Sequence, residues 1–522
     1  DDLEDLRLLK VDVLGLGMLT AIRRCFELVA QSCGQAPLRI DAIPMNDTAV
    51  YDMICRADTI GVFQIESRAQ MSMLPRLQPR NYYDLVIEVA IVRPGPIQGD
   101  MVHPYLRRRS GAEPVVFPSE AVRGVLARTC GVPIFQEQVM QLAVVAADFT
   151  PGEADQLRRS MAAWKRRGGV GHFEEKLITG MRRNGYAEKF SRQIVDQIRG
   201  FSEYGFPEAH AASFAVLAYV SAWLKHHHPA AFTAALLNSQ PMGFYAPAQL
   251  LRDARNHGVE VRSVDVGVSA VECTLEQVMD DAGDATGALA LRLGLACARS
   301  LPQAAAGRLV AARLVAPFSC VADLGDRAGL SRHDLEMLAA CGALAGLEGH
   351  RHLAHWGVAG YLPPLPAAPD APVEGARPLL RTPTEAEDIV ADYRSLGFTL
   401  GRHPLALLRQ RLQTARLLTA AQLQETAAGD FVRVAGLVIT RQRPHTASGV
   451  TFVTLEDESG QVNVLVWRAL GERQHGVLVG SRLLEVRGEL QREAGVTHVI
   501  AGKLVDRTAL LGALQFSSHE FH

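Results

Sequence analysis

Cysteines at metal-binding spacing are missing from this chain. Its eight cysteines, at 25, 33, 55, 130, 273, 297, 320 and 341 of 522 residues, include no Cys-x-x-Cys. A zinc framework or disulfide scaffold is therefore not expected, and free thiols in a reducing cytoplasm are the simpler reading. A charge excess of one sign is also missing: the formal net charge is −2, so any nucleic-acid footprint must come from local clustering. No apolar run is long enough to span a bilayer. The longest, from Ala211 to Leu224, carries serines and falls short of the roughly 20 residues a span needs. No signal peptide is visible, and no membrane partner is expected. What is there, 48% hydrophobic and 21% charged residues, describes a globular protein. Its length predicts several domains of roughly 100–200 residues each.

The chain begins without methionine inside what reads as a strand, Leu8-Leu9-Lys10-Val11-Asp12-Val13-Leu14, so it is expected to be a piece of a longer protein. Period-2 alternation puts Lys10 and Asp12 on one strand face. A carboxylate in an apolar run is costly unless compensated. Asp12 then either caps the helix beginning near Met18 or serves a site.

From Asn46 to about Asp265 the pattern is mostly helical. Pro94 and Pro96 hold Arg93 on a rigid turn, as a surface arginine or a site residue. Cations gather at Arg107 to Arg109, Arg158-Arg159, Lys165 to Arg167 and Arg182-Arg183. Such clusters are commonly solvated helix faces. Arg158 and Arg159 lie close to a helix start at Thr150-Pro151-Gly152-Glu153, and forked guanidinium donors match phosphate oxygens. Tyr204-Gly205-Phe206 precedes a long apolar helix and suits either base contact or core packing. His226-His227-His228 is not a metal site, because consecutive helical residues diverge by about 100°.

Residues 266–358 read as short helices and turns. A proline and alanine linker runs from Tyr361 to Pro383, followed by helix from Thr384 to Leu412. From Asp430 the period becomes two. Strands are predicted at 431–438, 450–455, 461–467, 482–487 and 496–500, with a helical insert at 468–477. That pattern suggests an OB-fold, with Arg441, Arg443 and Arg468 as candidate DNA phosphate contacts and few exposed aromatics. Docking of a protein on this barrel is the alternative. Glu456-Asp457-Glu458 reads as a turn.

Six ordered motifs carry a resemblance: Lys10 to Leu16, Gly61-Val62-Phe63-Gln64-Ile65-Glu66-Ser67, Arg93-Pro94-Gly95-Pro96, Phe135-Gln136-Glu137-Gln138, Leu157-Arg158-Arg159 and Tyr204-Gly205-Phe206. Together they resemble the C-family bacterial DNA polymerases, the DNA polymerase III alpha type. The resemblance implies an α+β multidomain chain: a palm edge (1–40), helical fingers (41–265), a tandem helix-hairpin-helix-like region (266–358), linker and helices (359–425), an OB-fold β-barrel (426–508) and a tail (509–522). It implies Asp12 as catalytic and metal ligand. Nucleotide contacts would be Lys10, Arg158, Arg159, Tyr204, Gly205, Phe206 and His210, with Arg93, Gln136 and Glu137 near the substrate.

Implied partners are primer-template DNA, dNTPs, two Mg2+ ions, the sliding clamp and accessory proteins of a damage-induced mutasome. Two further metal-binding aspartates of the family come from an Asp-x-Asp motif, which this sequence does not contain. The chain alone is therefore expected to be catalytically incomplete. Pro207-Glu208 stands where replicative members more often have a polar and a basic residue, and this departure, with the early C-terminus, resembles the error-prone branch. The first hairpin of the helix-hairpin-helix region reads Ser300-Leu301-Pro302 without its usual glycines, which favours plain packing over a duplex grip. A replicative alpha subunit and a non-catalytic DNA-binding fragment or paralogue are the alternatives.

Overall fold

The computed structural model describes residues 14–92, 101–167, 171–200, 207–243, 245–280, 282–362, 378–443, 449–493, 496–514 and 519–521. The chain forms two compact units. One comprises residues 1–27, 36–228 and 241–244, the other residues 28–35, 229–240 and 245–522.

The first unit is helical: α1 (Leu16–Cys33, of which residues 28–33 are assigned to the second unit), α2 (Thr48–Cys55), α3 (Arg68–Leu77), α4 (Tyr82–Ile91), α5 (Val102–Arg109), α6 (Glu120–Leu126), α7 (Gln136–Ala147), α8 (Pro151–Arg167), α9 (Gly171–Arg183), α10 (Glu188–Gly200) and α11 (Glu208–His227). Their starts follow local chemistry. Asp47, Ser67 and Asn81 accept the otherwise unpaired first-turn N–H groups of α2, α3 and α4, each worth about 1 kcal/mol against alanine. Helix α4 is apolar nearly all round because it lies buried along α11. Tyr219 of α11 stacks on Tyr51, with ring centroids 5.2 Å apart, and donates to the Pro44 carbonyl at 2.8 Å.

Much of the cationic cluster in this unit is internal. Arg109 grips Asp84 through two 2.7 Å bonds, and Arg107 and Arg108 share Glu113. The three histidines at 226–228 do not converge. His227 bonds Asp47 at 2.8 Å, and His228 lies against Trp223.

The second unit opens with α12 (Pro229–Asn238) and α13 (Pro247–Asn256). A three-stranded sheet follows in the order β1 (Val261–Arg262), β3 (Ala285–Arg292), β2 (Thr274–Met279). The sequence reading had only helices and turns here. β3 is rich in Ala and Gly, residues depleted in strands, so pairing rather than propensity makes it extended. Helices α14 (Gln303–Val315), α15 (Val321–Ala328), α16 (Arg332–Ala340), α17 (Ala345–Glu348) and α18 (Arg351–Gly360) share one core with this sheet. At the glycine-free hairpin Ser300 takes the left-handed conformation, φ +64. The turn therefore forms without glycine, and Pro302 stands just before α14 without a capping side-chain bond.

The helix expected over 384–412 is two, α19 (Glu385–Ser395) and α20 (Pro404–Thr414). Gly397 at φ +89 and Pro404 at the first helical position separate them. After α21 (Ala420–Glu425) the barrel closes from β4 (Phe431–Gln442), β5 (Thr451–Glu456), β6 (Gln461–Val466), β7 (Leu483–Glu493) and β8 (Val496–Asp506). The strand order is β5-β6-β8-β7-β4, with β5 returning to pair β4. A short β9 (His519–Phe521) adds parallel to β4.

This is the OB-fold that the alternation predicted, with the insert resolved into α22 (Arg468–Arg473) and α23 (His475–Gly480). A register shift at Val438/Thr440 lets β4 serve both β7 and β5. Glu456 ends β5, paired with Gln461, and Asp457 and Glu458 lie in the connection to β6. Asp457 accepts the N–H groups of Ser459, Gly460 and Ala420, Glu458 pairs with Arg409, and Glu456 faces Arg252 and His403.

Candidate nucleotide and nucleic-acid contacts

Lys10, Asp12, Arg93, Tyr204, Gly205 and Phe206 lie outside the described residues. The chain enters the described structure just past Asp12, where a cavity of about 470 Å³ opens beside Gly15, Gly17 and Met18, with Gln64, Glu66 and Gln70 among its other walls. The Gly61–Ser67 motif makes this wall. Gln64 sits at φ +67, and the Ile65 N–H reaches back to the Phe63 carbonyl at 2.8 Å. A non-glycine residue there is strained by roughly 1–3 kcal/mol and persists only where neighbours over-determine it. They do. Thr59 Oγ1 donates to the Ile65 carbonyl, Ser221 accepts from Phe63 N, and buried Lys225 binds the Ile60 carbonyl and Asp58.

Glu66 is buried in the cavity wall, and desolvation pushes its carboxyl up to about 8 against the pull of the Gly61 N–H and Lys225. Such strain beside a shifted acid in a cleft makes this wall a candidate site. The sequence reading quoted this motif without assigning Gln64 or Glu66 a role; a carboxylate between Ile65 and Ser67 in a buried stretch was the available signal.

His210 stacks on Phe214 at 4.2 Å, and Phe214 meets Phe63 edge-on at 5.2 Å. A Cβ on Gly15 would come within 3.2 Å of the Phe63 ring. A line of rings thus joins His210 to the backbone three residues beyond Asp12. Glu137 holds the same helix, since its carboxylate accepts the Glu208 N–H at 3.0 Å, at the N-terminus of α11. The carboxylate is engaged as a helix cap. Gln136 is half-buried at the first position of α7. Glu208 accepts from Tyr83 Oη at 2.8 Å and pairs with Arg128 at 3.3 Å, whose guanidinium lies 3.9 Å over the Tyr83 ring.

Arg158 and Arg159 are brought together by Asp155, which accepts both Nε–H groups at 2.9 and 2.8 Å. Those bonds hold the Asp155 carboxyl below the usual range. Both guanidiniums keep substantial exposure, 37% and 49%, so an anion can reach them.

On the barrel, Arg441, Arg443 and Arg468 do converge, around a cavity of about 330 Å³ that His475 and Leu478 also line. Arg441 is corrected, however. It is buried, and its guanidinium donates to the Leu478 and Ser481 carbonyls at the C-terminal end of α23. That is a structural bond, not a phosphate contact. Arg443 is exposed, and Arg468 packs its stem over Gly449 while pairing with Glu472 at 2.8 Å. Beside it Trp467 is 55% exposed, an aromatic face the sequence reading missed. Its parity with the outward Gln461, Asn463 and Leu465 of β6 was the signal.

Among the described residues at the first cavity, one carboxyl raised by burial beside two carboxamides does not make a divalent-cation site by itself.

Residues 18–185 match the family model of the bacterial DNA polymerase III alpha subunit finger domain, residues 258–354 a helix-hairpin-helix motif, and residues 432–506 an OB-fold nucleic acid binding domain. Along its full length the chain is 64% identical to an error-prone DNA polymerase of Alkalilimnicola ehrlichii, 58% to that of Methylococcus capsulatus and 56% to that of Pseudomonas paraeruginosa. It covers 50%, 51% and 50% of those proteins, so it spans about half the length of the curated relatives it matches. Among solved structures, an asparaginyl-tRNA synthetase from Pyrococcus horikoshii is 26% identical over 15% of this chain and 20% of its own, at a TM-score of 0.13.

Proposed function

We propose, from the premise that this chain belongs with the C-family bacterial DNA polymerases of the error-prone branch, that it supplies the fingers, helix-hairpin-helix region and OB-fold of a template-directed DNA polymerase. The observation that carries this is the 56–64% identity to proteins of that name over the whole chain. The reaction adds a dNTP to a primer 3′ end. Its cofactor, for which we propose Mg2+ as two ions, would supply the charge compensation that phosphoryl transfer requires, and Asp12 is the ligand assigned from this chain.

Within that reading Arg158 and Arg159 exchange Asp155 for triphosphate oxygens, which carry more negative charge and more acceptors for forked donors than one shared carboxylate. Lys10 approaches the same oxygens. His210, fixed by its ring stack, bounds the sugar, and Tyr204, Gly205 and Phe206 close over the nucleoside, with Arg93 near the substrate. On the barrel, Arg443 and Arg468 hold phosphates of a single strand and Trp467 stacks a base. Damage-induced synthesis, mutasome partners and delivery to the sliding clamp complete the proposal.

Primer extension by the full-length protein beside its Asp12→Ala variant tests it. Extension by the wild type and loss of it in the variant is the expected result; undiminished extension by the variant, or none by either with binding retained, would leave a DNA-binding protein instead.

A further inference from the structure

Two sulfurs meet inside the second unit where none of the nucleotide or DNA contacts above needs them. Cys273 Sγ and Cys297 Sγ lie 3.7 Å apart. Cys273 immediately precedes β2 and is buried. Cys297, half-buried, ends the 3-10 turn Leu295–Cys297 that leads into the Ser300 hairpin. The two segments already touch through their backbones, because a Cβ on Gly294 would fall 2.3 Å from the Glu272 carbonyl carbon. The Gly294 N–H points at Cys273 Sγ at 3.4 Å, and Asn238 pins the Cys273 backbone through its N–H and its carbonyl at 2.8 and 2.9 Å. One sulfur is thus anchored, and the other rides on the turn before the hairpin.

We propose that Cys273 and Cys297 are an oxidation site, closed to a reversible disulfide by a peroxide. Thiols in contact differ from isolated buried ones. The S–H of one donates to the other once that one ionises, and this bond with the Gly294 N–H holds Cys273 below the usual thiol range while Cys297 is pushed up. The buried Cys25, with no such partner sulfur, is raised by desolvation alone. The contact therefore favours the charged form of Cys273 more than burial alone would.

The charged sulfur attacks one peroxide oxygen, the O–O bond breaks, and the departing hydroxide takes a proton to become water. The second sulfur then attacks the sulfenic sulfur, the S–O bond breaks, and a second water leaves. Two thiols and one hydrogen peroxide give one disulfide and two waters, the peroxide being the two-electron acceptor. Contact between the sulfurs makes this closure faster than further oxidation of the sulfenic acid. The new bond ties the turn before Ser300 to the edge of the sheet.

Peroxide treatment of the whole chain, alkylation of the remaining thiols and digestion with trypsin test this directly. Cleavage after Arg292 separates the peptide 263–292, which holds Cys273, from 293–299, which holds Cys297. The expected result is a linked pair lighter by about 2 Da than the sum of the free peptides. It should be reversed by dithiothreitol, absent from Cys297→Ser, and accompanied by the loss of two titratable thiols. The proposal is overturned if both peptides stay separately alkylated at a dose that oxidises the exposed Cys33 and Cys320, if the two sulfurs appear only as unlinked sulfinic acids, or if linkage needs prior unfolding in urea. Because the linkage is scored in the wild-type chain, poor folding of a variant does not decide it.

Discussion

Buried carboxyls contribute a distinctive pH response to the first unit. Glu66 titrates near 8 in the folded chain because burial disfavours its charge, whereas an unfolded glutamate titrates near 4.5. Between those values the folded state holds a proton that the unfolded state has released. Stability should therefore be full below the lower value and fall as pH rises towards the upper one, by at most about 1.4 kcal/mol per unit. Glu88, fully buried in α4, shifts the same way. Urea midpoints between about pH 5 and pH 8 should fall more steeply for the wild type than for Glu66→Gln, which keeps an acceptor for the Gly61 N–H. Equal slopes would show that Glu66 is not neutral in the fold.

Glu208 belongs at the same scale. Glu208→Lys sets a cation against Arg128 and the N-terminus of α11. Since Arg128 is 65% exposed, solvent screening limits the loss to about 1 kcal/mol, read as a lower Tm. If the full-length protein extends primers as proposed, this basic residue, of the kind replicative members more often have there, should reduce mismatch insertion, and unchanged insertion would leave Glu208 without a part in fidelity. Arg158→Ala and Arg159→Ala should each raise the KM for dNTP by roughly tenfold to a hundredfold, the worth of one charged hydrogen-bonding group.

Elements depend on places where no side chain fits. At the β7 register shift next to Arg487, a Cβ on Gly488 would stand 1.9 Å from the Ile500 carbonyl oxygen. Gly488→Ala must therefore push β7 from β8 and should destabilise the barrel by roughly 1–3 kcal/mol, lowering the unfolding midpoint. An unchanged midpoint would mean the two strands are not held as described. Helix α11 shows the opposite device, a distant carboxylate that completes an end with no capping side chain of its own. Glu137→Ala should cost about 1 kcal/mol and loosen His210 with the helix, whereas Glu137→Gln should retain most of the stability.

At the scale of the molecule, a net charge of −2 leaves no general attraction for DNA, so grip must be local. Removing Arg443 or Arg468 should lower the salt slope of single-strand binding by about 0.7 each, while Trp467→Ala should lose roughly 1–3 kcal/mol of affinity at a nearly unchanged slope. Arg441→Ala, by contrast, should act on stability, because it uncaps α23. If all three arginines shifted the salt slope equally, the assignment of Arg441 to the interior would be wrong.

By itself the sequence determined what short-range pattern controls. A shift to period-two patterning made the barrel legible, and six ordered motifs pointed to a polymerase. The Ala- and Gly-rich β3 was hidden because only its partners make it a strand. Tertiary structure alone decided which charges meet water. Arg441 and Arg443, two positions apart and identical in type, part because one guanidinium finds the carbonyls of α23 and the other finds solvent. Burial of a charged group is settled by partners far along the chain, at distances the local pattern does not encode.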